Sequence, residues 1–470
     1  MPTATAPGAA VARPAHRDPN VLRWLGAYTC SMLGDNVYYI ALSWAAVQAG
    51  TPAQAGLVMS ASALPRALLM LGGGVVADRF GPRRVVIGSD VVRCAAVVAV
   101  AALLLLARPG LWPLALLALV FGAVDAVFMP AVGALPARIT GQDQLARVQG
   151  MRGLSIRFAS VVGAPLGGLG VALGGAAAAF GLAGLLIAAS VPLLISVRFR
   201  ALPADTTVPG RDAAVRIPEP QTAEPRSAEP HGVEAHGGEA CVAEAHVADP
   251  HVTEPRAVEP SGGPAVRSRA WGDLVGGLRY IRRHRVLAPL MVAIALGDLG
   301  FVGPLNVGLT LLADRRGWGA SGMGWVLAGF GAGAGAMSLL LAVRGRLPRA
   351  GLVAGAAILA GSVAIGALAF VPYLLAAVGV ALLVGLLAGL SGALCGALLQ
   401  TQADPAYLGR VTAVAGLVSL GLAPLSMPVA AAAIGAWGLG PVFVVSAVVC
   451  GLGGVVALSV PTLRQAELPH

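Results

Sequence analysis

Residues 72–84 read GGGVVADRFGPRR, a short charged and glycine-rich stretch between an apolar run that ends at Ala77 and another that begins at Val85. A helix in a soluble core needs no such interruption. A membrane hairpin does, because its apolar arms cross the bilayer and its charged turn stays in water. Arg collects in loops on one side of the membrane, so Asp78, Arg79, Arg83 and Arg84 identify the side on which this turn sits. A second reading of the same residues, an orienting loop with no further role, is open at this stage.

Composition supports the membrane reading. Hydrophobic residues make up 57% of the 470 and charged residues only 11%, a balance that polytopic membrane chains show and soluble domains do not. The formal net charge of +10 would suggest nucleic acid in a soluble protein. Here all the basic residues are Arg and most fall in alternate loops, as orientation requires. The five Cys contain no C-x-x-C pair, so neither a disulfide framework nor a zinc site is indicated. Residues 1–21, Pro- and Ala-rich and polar with no apolar signal region, read as a cytoplasmic tail.

Apolar runs of about 20 residues predict spans at 22–48, 53–77, 85–107, 111–137, 147–172 and 175–197, and again at 286–312, 320–343, 350–371, 374–401, 410–435 and 438–460. The expected fold is all-α, with twelve transmembrane helices in two six-helix halves, 22–197 and 271–461. One set of loops holds Arg79, Arg83, Arg84, Arg138, Arg147, Arg198, Arg200, Arg344, Arg346 and Arg349. The opposite set is nearly uncharged apart from Arg108 and the Asp314–Arg316 turn, which puts both termini, including the tail at 462–470, in the cytoplasm.

An internal repeat supports the two halves. Leu33-Gly34-Asp35 recurs as Leu296-Gly297-Asp298, an offset of 263 residues. At the same offset Arg147-Val148 recurs as Arg410-Val411, Gly153-Leu154 as Gly416-Leu417, Pro165 as Pro428, and Arg83 as Arg346. Parallel repeats of six spans are a transporter architecture, with sites near the bilayer midplane between the repeats.

Residues 198–270 join the halves. Acids recur every five residues from Glu219 to Glu259, a period that fits no helix, and interspersed Pro residues forbid one. The segment reads as a disordered linker. A soft-metal site on His231, His236, Cys241, His246 and His251 is the sharper alternative, against which the wide spacing counts. Trp271–Arg285 is amphipathic and is expected either on the inner leaflet surface or packed on its own protein.

Charges inside spans are the functional candidates, since each costs about 2.5–3.5 kcal/mol at mid-helix unless a partner or a cavity receives it. Asp35, Arg66, Asp125, Arg157 and Asp298 each lie at a depth of about 15–20 Å, near the middle of a ~30 Å core. They are expected to form one central cluster of three acids and two Arg, whose excess carboxylate suits a proton or a substrate cation. For Arg66 and Arg157, pairing that merely locks helices together is an equal reading. Asp90 and Arg93 start closer to the loop at 72–84 and are expected to be a snorkelled surface pair.

Gly74-x-x-x-Asp78-Arg79-x-Gly81-x-Arg83-Arg84 resembles the signature loop of the major facilitator superfamily, between its second and third helices. The family usually has a basic residue directly after Gly81, where this chain has Pro82, so any gating contribution of that position moves to Arg83. Gly163-Ala164-Pro165-Leu166-Gly167-Gly168 resembles the family's antiport motif, with Ala164 in place of the usual Gly. Leu64-Pro65-Arg66, Ser89-Asp90-x-x-Arg93, Pro130-Ala131 with Leu135-Pro136, the run from Gly277 to Arg283, and Gly409-Arg410-Val411 resemble the bacterial branch of drug and siderophore exporters related to the enterobactin exporter.

The resemblance implies a bacterial inner-membrane efflux carrier, a proton-driven antiporter associated with multidrug resistance, that works by alternating access without a cofactor or metal. Its expected partners are a small-molecule substrate, protons and the lipid bilayer, with no nucleic acid, and a monomer is expected to suffice. A facilitator-type nutrient importer and a sensor that uses the His-bearing linker are the alternatives. An enzyme is disfavoured because no predicted span carries a His or a nucleophile–base constellation.

Overall fold

Proline and capping residues set the helix starts. In a computed structural model of the chain, Asp18 accepts a hydrogen bond from the Asn20 amide at 2.8 Å and opens α1, Pro19–Ala49, with Pro at its first position. Thr51 and Gln54 form a reciprocal capping box on α2, Pro52–Ser60. Gly81 has φ 81°, a backbone that favours glycine, and Pro82 follows as the first residue of α3, Pro82–Leu106. Pro82 therefore starts a helix where the resembled loop carries a basic residue. Next come α4, Trp112–Ile139, and α5, Leu145–Ser196.

At 52 residues α5 is too long for one crossing, and it breaks at Gly175, whose φ 72° and ψ −174° suit only glycine. The break lies where the apolar pattern separates two spans. Pro165 keeps helical backbone angles, and the non-helical residues within α5 are Gly174 and Gly175.

A short helix over 275–283 precedes α6, Leu287–Arg315, which contains a π-helical turn at Pro304–Gly308. The remaining helices are α7 Gly319–Arg344, α8 Ala350–Leu368, α9 Leu374–Gln402, α10 Leu408–Leu417, α11 Ser426–Trp437, α12 Leu439–Ser459 and the short α13 Pro461–Arg464. The structure describes residues 15–197, 275–344, 349–419 and 425–467, apart from 64, 67, 70–75, 77–78, 108–109, 142–143 and 405–406. The 198–270 linker with its acidic repeat and His residues, together with Gly74, Asp78 and Trp271, lies outside the described residues. Among the described residues there is no strand, and eight helices are long and apolar enough to cross a membrane.

Helices before residue 200 pack mainly on one another, and so do those after 275. The first group has a core around Val37, Phe121, Phe180 and Ile187, where Tyr38 stacks on Phe121 at 3.7 Å between ring centres. The second has one around Leu309, Met323, Ile365 and Phe443. The groups meet at the end of the bundle that holds Ala49, and α5 and α7 stay in contact from there as far as Arg157 and Gly335. At the Ala49 end Tyr39 donates a hydrogen bond to the Asn306 side-chain carbonyl, and Gln48 donates to Asp314 at 2.8 Å. Gly56 of α2 lies against Met427 and Ala431 of α11, and Gly168 of α5 against Ala320 of α7. The π turn carries Asn306 to this seam; its side-chain amide donates in turn to the Val302 carbonyl.

Candidate functional site

Arg93 of α3 is the hub of a buried charge cluster. Its guanidinium grips Asp35 of α1 through two hydrogen bonds of 2.7 and 3.0 Å, donates to Ser31 at 3.0 Å, and pairs with Asp90 one turn earlier on its own helix. It also lies 3.5 Å from Asp125 of α4 and 4.1 Å above the Phe128 ring. Asp90 accepts further hydrogen bonds from Ser31 at 3.1 Å and from Ser190 of α5 at 2.5 Å. Asp125 pairs with Arg66. Three carboxylates thus face two guanidinium groups, a formal charge of −1 when all are ionised. Asp90 and Arg93 have no solvent exposure, whereas the Asp35 side chain is 24% exposed, the most of the three acids. Asp35 is therefore the carboxylate of this cluster most open to its surroundings. Buried charge is tolerated only with such partners.

This arrangement corrects two expectations. Asp90 and Arg93 are not a snorkelled surface pair but the centre of the site. Helix α3 begins at Pro82, three residues ahead of the apolar run, so Arg93 lies about 16 Å along it, near mid-bilayer depth. The five expected charges also do not form one cluster. Asp35, Arg66 and Asp125 meet around Arg93, while Arg157 and Asp298 lie elsewhere.

Asp298 and Arg157 both line a cavity of about 750 Å³ bounded by α6 to α10, α12 and the first arm of α5. Asp298 accepts a hydrogen bond from Ser419 at 2.5 Å. Arg157 is exposed and forms no ion pair among the described residues. Phe301 and Phe330 contribute aromatic edges, and Ala and Gly form most of the remaining wall. A mostly apolar cavity of this size with one acid and one base suits a small organic molecule. Among the described residues no group of His, Cys, Asp or Glu has the geometry of a metal site.

The glycine run on α5 serves close packing. A Cβ on Gly163 would come within 2.7 Å of Asn36, and one on Gly167 within 2.9 Å of Ile40, so both glycines admit α1 next to Asp35. A Cβ on Gly168 would meet the Ala320 carbonyl at 2.5 Å, and one on Gly324 of α7 would approach Pro165 at 3.1 Å. The motif is therefore clamped between α1 and α7. In the loop at 72–84, Arg79 and Arg84 are exposed, and Arg83 donates to the Ile195 carbonyl at 2.8 Å, at the C-terminal end of α5. Sequence reasoning missed the roles of Arg93, Ser31, Ser190 and Asn306. The available signals were the i, i+3 charge pair within a span and Pro304 in the middle of another.

The sequence profile of the Major Facilitator Superfamily matches residues 24–424. A comparison with curated proteins finds none that matches. Among solved structures, a mutant of the nucleoside transporter NupG aligns with TM-score 0.63 and 10% identity over 94% of this chain and 100% of its own. A bacterial homologue of the human lysosomal transporter Spinster, inward-facing and unoccupied, aligns with TM-score 0.59 and 14% identity over 96% and 98%. A POT family transporter in complex with 5-aminolevulinic acid gives 0.64 and 10% over 94% and 96%. At these identities the likeness is one of fold, and the profile match over most of the chain carries the assignment: the chain belongs to the Major Facilitator Superfamily and is a multi-pass membrane transporter of small molecules, not an enzyme.

Proposed function

We propose that this transporter is a proton-coupled efflux antiporter that works by alternating access in a bacterial inner membrane, with both termini cytoplasmic and the monomer sufficient. Its twelve spans comprise the eight helices that qualify by length and composition, with α5 crossing twice. The apolar runs that the sequence predicts at 22–48, 53–77 and 410–435 supply the other three. The observation that carries the reading is the buried cluster of Asp35, Asp90, Asp125, Arg66 and Arg93, with one carboxylate in excess.

Protonation of Asp35 removes the charge assistance from its two bonds to Arg93 and loosens α1 from α3. The same α1 holds the seam through Tyr39 and Gln48 and packs on Gly163 and Gly167, so a proton event at the middle of the helix is felt where the halves meet. The substrate occupies the cavity of Asp298, Ser419 and Arg157. With the termini in the cytoplasm, the closed seam lies on the outer side, which corresponds to an inward-facing state. The loop of Gly74, Asp78, Arg79, Gly81, Arg83 and Arg84 latches the opposite state through contacts made only there. The glycines clamped between α1 and α7 favour export over import, in line with the motif they resemble.

The test is proton release from energised everted vesicles as a lipophilic cation, a macrolide or a catecholate siderophore is added. Wild type is compared with Asp35→Asn and Asp298→Asn. Substrate-dependent proton movement that both variants lose supports the assignment. Full coupled transport by Asp35→Asn refutes the coupling role, and full transport by Asp298→Asn removes the cavity from the pathway.

A further inference from the structure

The helix at 275–283 divides into two unlike faces. Gly277, Tyr280 and Ile281 face the protein: a Cβ on Gly277 would lie 3.0 Å from Arg410, Tyr280 stacks on Tyr407 at 4.4 Å, and Ile281 is buried. The Tyr280 hydroxyl also accepts from the Asp404 amide at 3.2 Å. At 100° per residue, Val275, Leu278, Arg279 and Arg282 share the opposite arc. All four are exposed, as are Arg283 and Arg285 just beyond.

No acid occurs between Asp273 and Asp298, and none of these four Arg forms an ion pair among the described residues. The helix also sits where a span enters the membrane, since α6 begins at Leu287 and Thr462 of α13 donates to the Arg285 carbonyl at 3.1 Å.

We infer that this face is a binding site for anionic phospholipid of the bilayer that the chain spans. The phosphodiester of the headgroup lies against Arg279, Arg282 and Arg283, and the acyl chain lies over Val275 and Leu278. A soluble anion would need only the Arg residues. The two exposed apolar side chains on the same arc fit a ligand that is both charged and fatty. Through the Tyr280–Tyr407 stack and the close approach of Gly277 to Arg410, a lipid bound here bears on the start of α10.

The test uses the full chain in phosphatidylcholine nanodiscs doped with either a photoactivatable phosphatidylglycerol or the matching photoactivatable phosphatidylcholine. Labelling of 275–285 is read by mass spectrometry. The glycerol lipid is expected to label this peptide several-fold more than the choline lipid. Each Arg→Gln change at 279, 282 or 283 should lower that preference by up to about five-fold, the equivalent of ~1 kcal/mol per Arg near an anionic surface. Leu278→Ser should reduce labelling by both lipids. Equal labelling by the two lipids overturns the inference, as does preference undiminished in the triple Arg variant. Complete displacement by soluble glycerol phosphate would make this a free-anion site and overturn it too. Absence of lipid labelling in the full chain, restored by deleting 205–265, would assign the face to the acidic repeat instead.

Discussion

Replacing Arg93 with Gln removes the partner of two carboxylates and the second positive charge, 3.5 Å away, from a third that keeps Arg66. The cluster moves from a formal −1 to −2, and Asp90, fully buried, keeps only the hydroxyls of Ser31 and Ser190. Removal of one member of a buried ion pair costs about 3–5 kcal/mol, because the remaining charge stays buried without compensation. The second change, Asp90→Asn, returns the formal charge to −1 and removes the least solvated acid. The double variant is therefore expected to recover about 2–3 kcal/mol of the loss, a coupling of the size neighbouring residues show.

Thermal unfolding in detergent, followed with a thiol-reactive dye at buried Cys395 and Cys450, reads both effects. For a chain of this size the single variant should unfold about 3–10 °C below wild type, and the double variant between the two. An Arg93→Gln protein that unfolds with wild type would refute the burial argument. A double variant no more stable than the single one would show that Asp90 does not carry the uncompensated charge.

Three further outcomes follow from the seam and the α5 break. Tyr39→Phe deletes one hydrogen bond between α1 and α6, worth about 0.5–1.5 kcal/mol net; spin labels at Ala49 and Arg315 should report a two- to roughly twelve-fold gain of the separated population, and an unchanged distance distribution would rule out a latch there. Gly168→Val places side-chain atoms where a Cβ alone already meets the Ala320 carbonyl at 2.5 Å; the same label pair should lengthen, and retention of the closed distance at full transport would count against the clamp. Gly175→Ala forces a side chain into a backbone region nearly exclusive to glycine, with an expected loss of about 1–3 kcal/mol and a matching fall in unfolding temperature, so an unshifted midpoint would contradict the strain at that turn.

Helical spans were legible because apolar runs and their Gly/Pro punctuation are local properties; the break at Gly174–Gly175 and the start at Pro82 both follow from residue types. Asp35, Arg66 and Asp125 were legible as buried charges because charge inside an apolar run is a local anomaly. Their partners were not. The repeat equates Asp35 with Asp298 by position in the chain, but equivalence under a repeat says nothing about proximity, and the two acids serve separate sites. Arg93 was misjudged because depth was measured from the first apolar residue of the run rather than from the helix start. The π turn at Pro304–Gly308 left no periodic trace, since one widened turn does not disturb an apolar pattern. Ser31, Ser190 and Ser419 are ordinary residues until the helices beside them are known.

The grip of Arg93 on Asp35 also constrains how the chain is made. The two residues are 58 positions apart, and α1 is not among the helices apolar enough to cross by length and composition alone. At about 5–20 residues per second, Asp35 leaves the ribosome some 3–12 s before the side chain that neutralises it. During that interval α1 carries a bare carboxylate that resists partition into lipid by about 2.5–3.5 kcal/mol. A nascent chain halted before α3 would hold its first segment at the insertion machinery rather than release it. Commitment of the first helix to the bilayer is, for this protein, an event in the synthesis of the third.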